Sequence, residues 1–321
     1  MRFRRPLPAL AGLLTVAVAA AACGSGPGSG GSGSQNKNIT VAALPVVDTA
    51  GFFIALKRGF FRQQGLNVSY RLVAQSTTAL AAMISGSVDV IGGGNYVSYI
   101  EGEAHGAFKV RLLSDGTTCA PHSFSILTLP RSGIKSPAGL AGKTVAVNLT
   151  NNIQTLAANA VLQADHVNTA SVKYVAVPFP QMASALAAGR VDAISVVEPF
   201  ATEAEKSLGA TEVSDQCAGP TAGLPLSGYF ANQSWTQQNP ATARAFQRAL
   251  DKGQALADSN PALVKQVLPS YSKISPQTAS AIHLGTYPSV PDASRLQRIA
   301  GLMLTGGLLK SRFDAGSMLF H

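Results

Sequence analysis

Two carboxylates sit among short polar residues in a way that suits capture of a small molecule: Asp48, followed by Thr49 and Phe52, and Glu198, between Val197 and Pro199. With them come the hydroxyls and amides of Ser76, Thr77, Asn95, Asn148, Thr150 and Asn151, and the phenols of Tyr96 and Tyr229. A carboxylate accepts from N–H donors or holds a cation, an amide both donates and accepts, and an aromatic ring offers a flat wall. The segments carrying this set, apart from Tyr229, are 45–52, 75–78, 92–96, 148–152, 178–181 and 195–200, and they contain no Lys or Arg. An anion there would rest on helix ends and hydroxyls alone, whereas a neutral or cationic ligand could use Asp48 or Glu198 directly. The set therefore leans toward a polar heteroaromatic or amine-bearing ligand. Each member also has a purely structural use: Glu198 at a helix entrance, Thr77 and Asn151 as helix N-caps.

Catalytic patterns are absent from the sequence. It holds no G-x-S-x-G, H-E-x-x-H or C-x-x-C, and His105, His122, His166, His283 and His321 are scattered without ligand spacing. "LAGKT" at residues 140–144 mimics the end of a phosphate loop, but Pro137 stands where that motif needs its first Gly. No catalytic group, cofactor or metal is expected.

The elements that must position these residues occur twice. From Ile39 the chain reads "ITVAAL", a helical "AGFFIALKRGFFRQQG", a strand-like "LNVSYRLV", a helical "TTALAAMISG" and "VDVIGG". From Lys143 it reads "KTVAVN", helical "NIQTLAANAVLQAD", strand-like "SVKYVAV", helical "PQMASALAAG" and "VDAISVV". Short β-branched runs alternating with apolar residues at three- and four-residue spacing predict parallel sheets covered by helices, hence two α/β lobes. Gly86 superposes on Gly189, Val88 on Val191 and Asp89 on Asp192, which places Asn95 opposite Glu198. Asp89 and Asp192 read as capping or turn residues. Ligands of such sheets bind beyond the carboxyl ends of the strands, in a cleft if two lobes face each other.

After the second copy come "LPLSGYFAN" and then a series of helices, including "PATARAFQRALDKGQALAD" and "PDASRLQRIAGLMLTGG", and this tail is expected to pack back onto the first lobe. The chain would then cross between lobes near 119–129 and again near 217–230. Side-by-side crossings would bring Cys119 and Cys217 together as a disulfide, the alternative being two separately buried thiols.

The start, "MRFRRPLPALAGLLTVAVAAAACGSG", has the basic, apolar and small-residue layout of an export leader. Ala20 to Gly24 resembles a bacterial lipobox with Cys23 as the lipidated residue, a plain secretory signal or an uncleaved anchor being the alternative. A Gly/Ser tract then forms a flexible tether. The formal charge of +9 falls by three without Arg2, Arg4 and Arg5, and the remainder is spread out, with no basic cluster interleaved with aromatics to bind nucleic acid.

"DTAGFFIALKRGFFRQQGLNV", "SGSVDVIGGG", "GLAGKTVAV", "ALAAGRVDAISVVEPF" and "GGLLKSRFD", in that order, resemble the solute-binding proteins of ABC importers in the nitrate, sulfonate, taurine and thiamine-pyrimidine-precursor family. The resemblance implies a two-lobe type II periplasmic-binding-protein fold, with lobe 1 over 38–122, lobe 2 over 123–224 and a return to lobe 1 over 225–321. It also implies a leader over 1–22 and a tether over 23–37. A monomer lipid-anchored on the outer face of the cytoplasmic membrane, delivering its ligand to a permease and ATPase, would follow. The family's pocket segments map onto 48–52, 76–78 and Glu198. The alternatives are an alkanesulfonate- or taurine-binding member of the same family and an enzyme or sensor module on the same fold.

Overall fold

The computed structural model describes residues 37–321. The leader, Cys23 and all but the last residue of the tether lie outside the described residues.

Among the described residues ten strands form two five-stranded sheets. The first sheet holds β1 (Asn38–Ala43), β2 (Asn67–Leu72), β3 (Val90–Asn95), β4 (Val110–Asp115) and β10 (Ser227–Asn232). The second holds β5 (Phe124–Thr128), β6 (Thr144–Val147), β7 (Lys173–Ala176), β8 (Ala193–Val197) and β9 (Thr211–Asp215). The strand orders are β2-β1-β3-β10-β4 and β7-β6-β8-β5-β9. In each sheet the strand entered after a crossing, β10 or β5, lies antiparallel between the third and fourth strands. The duplicated order of elements is thus present, and the fold is α/β with two lobes. What the repeat does not contain is this inserted fifth strand, whose partners lie far away in sequence.

The shared Val-Asp phrase has a structural role in both lobes. Asp89 Oδ2 accepts the Thr40 N–H at 2.8 Å, and Asp192 Oδ2 accepts the Thr144 N–H at 2.8 Å. Each aspartate also donates its own N–H to the carbonyl of the same threonine. The third strand of each lobe is thereby pinned to the start of the first.

The expected first helix is interrupted. It ends at Lys57, and Gly59 (φ 71°) restarts a short one at Phe60 because glycine adopts the left-handed region without a Cβ clash. The Pro240–Ser259 helix lays Ala243, Phe246, Ala249, Leu250 and Gly253 against the Ala50–Lys57 helix and Phe61. Three- and four-residue spacing puts these on one face, which buries the return segment on the first lobe.

The two crossings run antiparallel: the Cys119 N–H donates to Leu224 O at 2.8 Å and the Leu226 N–H to Thr117 O at 2.9 Å. They are shorter than the sequence suggests, because β5 begins at Phe124 and β10 at Ser227. A disulfide joins Cys119 to Cys217, Cα atoms 5.1 Å apart and 98 residues apart in sequence. Removing a bond that closes so long a loop frees the unfolded chain, at about 2–5 kcal/mol of stability. The Cys119→Ser/Cys217→Ser chain is therefore expected to melt several degrees lower in calorimetry. An unchanged Tm would show that the pairing does not hold the crossings. Among the described residues no helix is long and apolar enough to cross a membrane.

Candidate functional site

Where the carboxyl ends of β1, β3, β6 and β8 face one another, the lobes enclose a cavity of about 30 Å³. That is room for about two water molecules, so the lobes are closed on each other. Its walls are Leu44, Val46, Phe124, Ile153, Phe179, Val197 and Leu226, and its polar groups come from Asp48, Ser76, Asn95, Asn148, Asn152, Gln154 and Ser227. Gly93, with φ +78°, also lines it, and a Cβ there would press on Thr49 at 3.2 Å.

Two polar atoms of this lining have no partner. Asp48 is 4% exposed; its Oδ2 accepts from the Ser227 hydroxyl at 2.5 Å, while Oδ1 is buried without a close hydrogen bond, the Thr117 hydroxyl, itself without another partner, lying near enough to pull on the same carboxyl. Asn95 accepts the Ser98 N–H at 2.9 Å, capping the Tyr96–Ala104 helix, while its Nδ2 is buried and unpaired. Such orphans are rare, since each unmade bond costs about 1–3 kcal/mol. Burial pushes the Asp48 carboxyl above the ordinary value, against the pull of the Ser227 and Thr117 hydroxyls. No Lys, Arg or His lines the cavity.

The Asp48 loop is held from behind by three phenols of the return segment. Tyr271 donates to Val46 O at 3.2 Å, Tyr287 to Val47 O at 3.1 Å and Tyr229 to Asp48 O at 3.3 Å. Three successive carbonyls are thus anchored by residues roughly two hundred positions away.

Two further helix amino ends at the cavity, usual seats for anions, are occupied by amides, while that of Phe179–Ala187 has no side-chain cap. Asn152 Oδ1 accepts the Gln154 and Thr155 N–H groups, and the Thr155 hydroxyl accepts the Asn152 N–H, a closed capping box for the Ile153–Ala164 helix. The Ser76–Ile84 helix is capped from the other lobe, by Asn148.

Of the twelve residues expected at the ligand, Asp48, Ser76, Asn95 and Asn148 line the cavity. Thr49 lies behind it, its hydroxyl donating to Leu44 O and Val46 O, and Phe52 is core, packed on Phe53 and Phe61. Tyr96 turns its hydroxyl to Asp115 on β4, and Tyr229 supports the Asp48 loop. Thr77 is exposed, one helical step round from Ser76. Thr150 and Asn151 line a separate groove of about 340 Å³ shared with Leu302 and Thr305. The left-handed Asn151 (φ 54°) turns that loop outward, a conformation asparagine tolerates.

Glu198 does not line the cavity; it is fully buried beside it. Its carboxylate accepts from the Thr202 N–H and hydroxyl and, at 2.9 Å, from the His283 N–H of the return segment. Its carbonyl accepts the Val47 N–H at 3.0 Å. Burial pushes the Glu198 carboxyl up to about 7, partly offset by these donors. It latches the second lobe to the first. Gln154, Phe124 and Ser227 complete the wall without a sequence signal, since the first caps nothing and the others open the inserted strands. Among the described residues no group of three or more His, Cys, Asp or Glu is placed to hold a metal.

Comparison with solved structures gives the same fold at low identity. The alkanesulfonate-binding protein SsuA from Xanthomonas axonopodis pv. citri, bound to MOPS, superposes with a TM-score of 0.73 at 16% identity, covering 90% of this chain and 99% of that one. The periplasmic nitrate-binding protein NrtA from Synechocystis PCC 6803 gives 0.77 at 15% identity, covering 88% and 84%. The desulfurization enzyme DSZB gives 0.64 at 17% identity, covering 88% and 96%. No curated protein matches the chain. Residues 47–263 match the family described as NMT1/THI5 like, a span that takes in β2 to β10, both crossings and every polar residue of the cavity wall. The fold is that of periplasmic solute-binding proteins, and the chain belongs to the NMT1/THI5-like family.

Proposed function

We propose that the chain is the extracytoplasmic solute-binding component of an ABC importer, and that its lobes close on a small neutral or cationic solute that donates at least one N–H. The observation that carries this reading is the pair of orphaned atoms, Asp48 Oδ1 and Asn95 Nδ2, on the wall of an inter-lobe cavity without a basic residue. An acceptor and a donor on residues of one cavity wall, among Phe124, Phe179 and aliphatic side chains, suit an amine or amino-heteroaromatic group, for which the two-water space of the closed form has to widen. The lining also contains no Cys or His to serve as nucleophile or base, which favours binding over the chemistry of the enzyme that shares the fold. The leader, lipidation at Cys23, lobes over 38–122 and 123–224 with a return over 225–321, and delivery of the solute by a monomer to a permease and its ATPase belong to the same proposal.

A thermal-shift and calorimetry panel on the chain without its leader tests it, with aminopyrimidines, polyamines, riboflavin, taurine, alkanesulfonates and nitrate. A ligand present at 100 times its Kd adds about 2.7 kcal/mol of stability. An amine or amino-heteroaromatic is expected to give that stabilisation. Tight binding of nitrate or an alkanesulfonate would contradict the reading.

A further inference from the structure

Of the helix amino ends at the cleft, that of Tyr96–Ala104 is capped by Asn95 and that of Phe179–Ala187, after Pro178, has no side-chain cap; the ends led by Ser76 and Ile153 are capped in different ways. The Ile153–Ala164 helix carries its own cap, Asn152 with Thr155. The Ser76–Ile84 helix does not: Gln75, at its N-cap position, makes no side-chain cap bond. Its cap is Asn148, 72 residues along the chain and at the end of β6 in the facing lobe. Asn148 Oδ1 accepts from the Ser76 N–H at 3.3 Å and from the Ser76 hydroxyl at 3.4 Å, and Nδ2 donates to Ala74 O at 3.0 Å. Both ends of the amide are used, which fixes its orientation. Its backbone is fixed too, since the Asn148 N–H donates to Gln154 Oε1 at 2.7 Å and Gln154 Nε2 to Ser195 O at 2.5 Å.

We propose that Asn148 is a specificity-determining residue that excludes oxyanions at the closing step. This rests on the reading of the cleft as a solute site. When the lobes meet, the Asn148 carbonyl oxygen takes the position at the Ser76 N–H and hydroxyl that a sulfonate, sulfate or nitrate oxygen would need. An oxyanion seated there forces Asn148 away, leaves Ala74 O and the Asn148 amide unpaired, and holds the lobes apart. A ligand that donates to Asp48 and accepts from Asn95, the orphaned groups of the same cavity, lets the latch form. Selection against anions at the Ser76 helix end is thus built from a cap that is complete only in the closed form, together with the negative charge of Asp48.

The test is calorimetric titration of the leaderless chain with methanesulfonate, sulfate and nitrate, in four forms: wild type, Asp48→Asn, Asp48→Asn/Asn148→Ala, and that double variant with Ser76→Pro added. Proline is tolerated at the first helical position and removes the N–H in question, and Gln75 (φ −138°, ψ 143°) is already in the extended backbone that precedes proline. The wild type and Asp48→Asn are expected to show no saturable binding. The double variant is expected to bind methanesulfonate at least tenfold more tightly than Asp48→Asn, and Ser76→Pro to abolish that gain. Oxyanion binding by Asp48→Asn equal to that of the double variant would assign exclusion to the carboxylate and overturn the role of Asn148. Absence of binding in a double variant with an unchanged melting profile would overturn it as well, with the donor-ligand reading intact. Tight oxyanion binding by the wild type would overturn that reading itself.

Discussion

Replacing Asp48 with Asn is expected to weaken ligand binding by two orders of magnitude or more while leaving the unliganded protein as stable as before, or more stable. The substitution is isosteric, so one oxygen can still accept from Ser227, and the three phenols still hold the loop through backbone carbonyls. What changes is the orphaned position: an acceptor with negative charge becomes an N–H donor facing a ligand that also donates. Truncating one side of a buried, charge-assisted bond costs about 2–5 kcal/mol. The unliganded protein gains, because burial holds the Asp48 carboxyl above its ordinary value and a buried carboxylate without a counter-charge is a strain on the fold. Calorimetric Kd values and thermal melts of the two chains check both halves. An unchanged Kd for the tightest-binding amine would remove Asp48 from the site.

The second large effect is on pH dependence, through Glu198. Burial raises its carboxyl from 4.5 to about 7 in the folded chain, mainly by desolvation. The sign is opposite to that of a salt-bridged carboxylate. Between pH 4.5 and about 7 the folded form keeps a proton that the unfolded form has lost. Unfolding then releases that proton, so the contribution of Glu198 is fully present below the lower value and lost as pH rises toward the upper one, by at most ~1.4 kcal/mol per pH unit. Opening the seam to His283 and Val47 exposes the group as unfolding does, so acid favours the closed form as well. Glu198→Gln removes the titration. One bond is sacrificed at every pH, since the amide nitrogen cannot accept the Thr202 N–H that Oε2 receives. The measurement is therefore the slope: urea unfolding at pH 5 and pH 8 should show the variant gaining on the wild type as pH rises. A difference between the two chains that is constant with pH would place the Glu198 carboxyl outside this range.

Which of these residues could be read from the sequence follows from how local their contacts are. Asp48, Ser76, Asn95 and Asn148 sit just past the carboxyl ends of strands recognisable by β-branched runs, and that position alone brings them to the cavity. Asp89 and Asp192 read as capping or turn residues because the same residue recurs in both copies; each instead bonds the start of its own first strand. Glu198 has the same position in the repeat as Asn95, yet its carboxylate turns to its own helix and to His283, an acceptor's choice that no spacing encodes. Thr150 and Asn151 share a loop with Asn148 but line a separate groove, Asn151 itself being left-handed. The phenols of Tyr229, Tyr271 and Tyr287 meet the Asp48 loop only because the chain returns to the first lobe after two crossings. The inserted strands β5 and β10 are likewise products of the crossings, which is why Phe124 and Ser227 carry no pattern of their own.

The central claim is that the cleft between the lobes holds a donor-bearing solute against Asp48 and Asn95. A structure of the chain with the tightest-binding member of the amine and amino-heteroaromatic panel tests it most directly. The expected result is a ligand N–H within about 3 Å of Asp48 Oδ1 and a ligand acceptor at Asn95 Nδ2, with Asn148 still capping the Ser76–Ile84 helix. A ligand seated in the groove beside Thr150 and Asn151, or an oxyanion on the Ser76 N–H of the wild-type chain, would contradict it.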